Sequence, residues 1–172
     1  MKSPSGVFVP SSLPLVPWLP LIAVALHLVE EFAWPGGFAD WYRAYRPERA
    51  ASVTTAFLVW INAVLVVLAL AAALLGRRPY GVALWLVVAS IGAANGAFHL
   101  WATLRKRRYS PGVATGVLVY LPLAAWGFWH FAASGLATTS MLVQAAVIGP
   151  AYHFYAAWNH RRRAARMAAV DA

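Results

Sequence analysis

The chain has 172 residues, 62% of them hydrophobic and only 11% charged, with nine tryptophans and a formal charge of +9. One soluble core cannot hide that much apolar surface, so composition points to a single-domain, all-α integral membrane protein. The basic residues stand in short runs between apolar stretches, as loop anchors do, which argues against a nucleic-acid partner, and the lack of cysteine removes disulfides and thiolate ligands.

About 20 apolar residues cross a hydrocarbon core, and runs of that kind predict five helical spans, at 14–34, 53–75, 80–104, 112–133 and 138–159. The N-terminal stretch carries Lys2 as its only early charge, prolines at 10, 14, 17 and 20, and no small-residue cleavage pattern. It therefore reads as a proline-led entry into the first helix and not as a cleaved signal peptide.

The first span carries His27-Leu-Val-Glu30-Glu31, two of the chain's five acidic residues beside a histidine. Ionisable groups in a span are costly and usually face a bundle interior or a wet cavity. At 100° per residue Glu30 lies about 60° to one side of His27 and Glu31 about 40° to the other, so all three share a face. The connection that follows, from Pro35 to Arg49, mixes Trp41, Tyr42 and Tyr45 with arginines. It reads as an amphipathic anchor in the headgroup layer in preference to a gate over a site.

Five spans put the termini on opposite sides, and the positive-inside rule selects N-terminus outside and C-terminus cytoplasmic. Arg43, Arg46, Arg49, the run Arg105 to Arg108, and Arg161, Arg162, Arg163 and Arg166 then lie inside, against Lys2, Arg77 and Arg78 outside. In that orientation helices one, three and five all run inward, and Asn95 and His99 on the third and His153 on the fifth fall at the depth of His27, Glu30 and Glu31. Helical bundles build metal sites by projecting His and Glu inward from facing helices in this way. His27, His99 and His153 with Glu30 or Glu31 are the candidate ligands for a divalent metal, zinc by preference, with iron or manganese as alternatives. The glutamate not used as a ligand, with Asn95 and Tyr109, is a candidate for proton transfer or for orienting an imidazole. Ser110 and Pro111 also suit the cap and first residue of the fourth helix. Asn62 reads as packing, His130 as interfacial, His160 as solvated, and the alanine-rich tail after Arg163 as frayed.

The order and spacing of His27-x-x-Glu30-Glu31, Asn95-x-x-x-His99 and Tyr109-Ser110-Pro111-Gly112 resemble the HXXEE domain family of small multi-span bacterial membrane proteins. The resemblance covers most of the chain and implies that His27, Glu30, Glu31, His99, Tyr109, Pro111 and Gly112 are family-defining positions, with no established reaction to carry over. The chemistry expected from the residues is metal-activated water attacking a lipid-like, membrane-associated substrate at the cytoplasmic leaflet of the inner (plasma) membrane. The alternatives are a metal-free acid/base lipid isomerase or cyclase, and a proton or metal-ion pathway.

Overall fold

A computed structural model describes residues 15–170, so the expected entry of the chain through Pro10 and Pro14 lies outside the described residues. Every regular element among them is helical. A 3-10 turn, Val16–Trp18, leads into α1, Leu19–Phe32, with prolines at the first positions of both, where a missing amide donor costs nothing. A short α2, Phe38–Tyr45, and a 3-10 turn, Pro47–Ser52, precede α3, Thr55–Leu75, whose first turn is capped by the Thr54 hydroxyl on Phe57 N. Then come α4, Pro79–Lys106, α5, Val113–Ala133, and α6, Thr139–Val170.

Three of these, α3, α4 and α5, are long and apolar enough to cross a membrane. The other two predicted spans differ. The regular helix α1 is 14 residues, short of the roughly 20 that a crossing needs. Helix α6 has 32 residues, because it runs on through the arginines into the tail expected to fray. Helix α4 is the central element, packed against α6, α3 and α5. Toward its start Trp85 is buried among Val82, Leu86, Phe131 and Ala145, and its indole N–H donates to the Val16 carbonyl at 2.8 Å.

Toward its other end α4 meets α5 backbone to backbone. A side chain on Gly96 would run into the Gly116 carbonyl at 2.6 Å, so only two glycines allow this crossing. At the same place α5 passes through a π-helical stretch, Gly116–Tyr120, a wider turn that follows Thr115 and ends at Tyr120. The close crossing brings the start of α5 alongside the end of α1 and the last turns of α4. The polar site is assembled there.

Candidate functional site

The two adjacent glutamates of α1 are both buried but meet different surroundings. Glu30 faces the first turn of α5, whose leading N–H groups have no partner within their own helix. It accepts from Ala114 N at 2.9 Å and Thr115 N at 2.7 Å, and from the hydroxyls of Thr115 and Tyr109 at 2.5 Å each. With four donors, its carboxylate caps α5 from across the bundle and has no lone pair to spare for a metal. Burial beside that carboxylate pushes the Tyr109 phenol up to about 12.

This cap corrects the expectation for Ser110. The hydroxyl does not cap α5, since Glu30 already does, and Gly112 stands at the cap position with φ +101°. Ser110 is instead fully buried and bonds His99 Nδ1 at 2.8 Å. The turn that this allows presses Gly112 into the site: a Cβ there would lie 2.7 Å from the His27 ring and 2.9 Å from the His99 ring. Position 112 has no room for a side chain, and its backbone conformation is one that glycine alone adopts freely.

Glu31 faces the histidines. Its Oε1 lies 3.4 Å from His27 Nε2 and 3.1 Å from His99 Nε2, and the three ligand atoms all fall within 4.8 Å of one another. The other ring nitrogens are fixed from behind. The Thr115 hydroxyl spends its proton on Glu30, so its oxygen accepts from His27 Nδ1–H at 2.8 Å. That leaves a lone pair on His27 Nε2, facing the Asn95 amide at 2.8 Å. Among the described residues His99 Nε2 makes no aligned hydrogen bond, although it is wholly buried and Glu31 is close. Two imidazole nitrogens and a carboxylate oxygen thus point at one small volume, and buried groups of this kind are costly unless a proton or cation lies between them.

Of the residues expected to meet, the structure joins His27, Glu31, His99 and Asn95, and sets Glu30 and Tyr109 behind them. His153 borders the same cavity as Glu31, but its Nε2 donates to the Ile91 carbonyl at 3.2 Å, which ties it to the α4 backbone and not to the cluster. The segment read as an interfacial anchor is a cover for the site: the Phe38 and Trp41 rings pack 5.8 and 5.9 Å from that of His99, and Tyr42 and Tyr45 are buried. His160, expected in solvent, is buried against Ser52 at 2.6 Å.

Two participants carry weak signals in the sequence. Thr115 sits in an apolar run, and its role depends on Glu30 being opposite. Tyr120 is one aromatic among many, yet its ring lies 4.7 Å from that of His27 and its buried hydroxyl has no hydrogen-bond partner among the described residues. A side chain at Gly92 would strike that ring at 2.7 Å, so the bundle makes room for it.

The family described as "Protein of unknown function with HXXEE motif" matches residues 18–127. The chain belongs to the HXXEE family. The matched stretch holds every residue of the cluster and its supports, while His153 and His160 lie beyond it. In this HXXEE protein the motif's histidine and second glutamate face one centre, and the first glutamate anchors the neighbouring helix. No curated protein and no solved structure matches the chain.

Proposed function

We propose that this protein is a membrane-embedded, metal-dependent enzyme of hydrolase type, in which His27, Glu31 and His99 hold one divalent cation. The observation that carries the reading is the convergence of those three atoms. Two bonds of about 2.0–2.1 Å meeting at a tetrahedral angle separate their ligand atoms by roughly 3.4 Å, and the Glu31 contacts are 3.4 and 3.1 Å. Two histidines and one glutamate form a ligand set of catalytic zinc sites, which leave a fourth position for water or substrate. The donor set also admits iron or manganese. Glu30, acting through Thr115, orients His27, and Ser110 orients His99, as outer partners do at metal centres. A half-turn of the Asn95 amide exchanges its nitrogen and oxygen, so the group that caps the His27 lone pair can also turn an oxygen toward a cation.

A cation there supplies the acidity that makes water a nucleophile near neutral pH and polarises a carbonyl. With Glu30 saturated, the remaining oxygen of Glu31 is the base for the water's proton. The Tyr120 hydroxyl is free to donate to the carbonyl oxygen as negative charge grows on it. The adjoining cavity, about 210 Å³, is lined largely by apolar side chains, which suits a lipid-like substrate. We place the site at the cytoplasmic leaflet of the inner (plasma) membrane, with five crossings and the N-terminus outside. The distribution of basic residues supports that orientation, and the proposal requires α1 and the first part of α6 to cross alongside α3, α4 and α5.

The test is hydrolysis of a medium-chain ester by protein purified without chelator. Activity that is lost on chelation and restored by zinc supports the reading, and activity indifferent to chelator refutes it. The 3.1 Å approach of Glu31 to His99 favours one second reading, a shared proton serving metal-free isomerisation of a lipid. Conversion of substrate by metal-free protein would select it.

A further inference from the structure

The cavity that Glu31 lines is bordered by further polar groups. Phe57, Leu58, Ile61 and Leu65 are among its apolar walls, and Arg49 and His160 line it as well. The 3-10 turn Pro47–Ser52 carries Arg49 inward to only 6% exposure, although the sequence placed it with the cytoplasmic loop charges. The Ser52 hydroxyl fixes that turn, donating to the Arg49 carbonyl at 2.7 Å while meeting His160 Nδ1 at 2.6 Å.

A buried guanidinium needs acceptors for five N–H groups, and Arg49 has few. Its Nη1 donates to the Tyr42 hydroxyl over a long 3.5 Å. Glu48, itself 55% exposed, comes within 3.5 Å of Nε without an aligned bond, and among the described residues Nε has no hydrogen-bond partner. A second guanidinium stands near. Arg163 lies over the Phe57 ring at 4.5 Å, the ring that His160 also touches, reaches Thr54 Oγ1 only at 3.5 Å, and likewise has a buried Nε with no hydrogen-bond partner among the described residues. Arg49 lines the largely apolar cavity short of acceptors, and Arg163 adds a second positive charge behind the Phe57 wall, so the pair suits an anion attached to an apolar body.

We propose that Arg49 in this cavity binds the anionic headgroup, phosphate or carboxylate, of a small amphiphile whose apolar part lies along Phe57, Leu58 and Ile61 toward Glu31. That this amphiphile is the substrate rests on the hydrolase reading; that it binds does not. At about 30 Å³ per water molecule, the cavity's 210 Å³ admits a compact amphiphile or the headgroup end of a longer lipid.

The test is calorimetric binding to the full chain in phosphatidylcholine nanodiscs, with octyl phosphate, octyl glucoside and inorganic phosphate as probes. Octyl phosphate is expected to saturate one site per chain, about tenfold or more tighter than octyl glucoside. Arg49→Met should remove that preference and Arg49→Lys should retain part of it. A wild type without the preference overturns the proposal whether or not Arg49→Met folds. Inorganic phosphate binding as tightly as octyl phosphate overturns the amphiphile, and undiminished binding in both variants overturns the role of Arg49. Wild-type protein that binds octyl phosphate but carries no metal would refute the metal centre and leave this proposal standing.

Discussion

Trp85 and His99 lie about 21 Å apart along the axis of α4, and neither is exposed to solvent. Around Trp85 the neighbours are apolar, and its one polar atom is fully paired with the Val16 carbonyl. Around His99 the neighbours are Ser110, Glu31, Gly112 and the cover of Phe38 and Trp41, and one ring nitrogen lacks an aligned partner among the described residues. Burial is therefore the same at both ends, and what separates packing from a site is whether the polar groups are satisfied among themselves.

The largest expected effect is at the apolar end. Trp85→Ala opens a cavity and should cost about 3–5 kcal/mol of stability, seen as a large fall in melting temperature, while the protein that still folds keeps its metal content. The reverse is expected of His99→Ala. Removing a direct ligand should weaken zinc binding by more than the roughly 100-fold ceiling for outer partners, with a smaller change in melting of the metal-free protein. If both variants changed stability and metal content together, the two ends would not be separable as described.

Thr115 tests the link between them and the motif's first glutamate. Thr115→Ala breaks the chain from Glu30 to His27 and should weaken zinc binding by about 10- to 100-fold, with Thr115→Ser restoring it. Unchanged zinc affinity would make Glu30 and Thr115 a helix cap and nothing more.

The smallest effect belongs to the rim. The Tyr109 phenol is held above its usual value of 10 by burial and by Glu30, at about 12. A group whose pKa rises on folding contributes stability fully at low pH and loses it as pH climbs through the folded value. The Tyr109 contact should thus be intact below pH 10 and fade toward pH 12, and Tyr109→Phe should remove that part of the pH dependence of melting. A wild-type and variant difference that is flat over this range would contradict the contact.

Much of the site is legible in the sequence because helical period fixes which residues share a face before any packing is known. That periodicity points to His27, Glu31 and His99, and the close crossing of Gly96 on Gly116 completes the centre. What the period cannot distinguish is Glu30 from Glu31, since they flank His27 almost symmetrically. The distinction comes from their partners, open amides at the start of α5 for one and imidazoles for the other. His153 lines the same cavity as Glu31, but a backbone carbonyl on α4 claims its ring, and no residue pattern foretells a carbonyl. The cover over His99 is hidden for a similar reason: aromatic residues among arginines suit a headgroup layer first, and that pattern does not show the turn at Gly36 and Gly37, both at positive φ, that leads into the segment.

The most direct measurement is the metal content of chelator-free wild-type protein beside that of Glu31→Gln, a change that keeps the shape of the side chain and removes its charge. The account predicts close to one divalent cation per chain in the wild type and almost none in the variant, with the helical fold retained in both. A wild type without metal, or a variant that keeps its full complement, would contradict it.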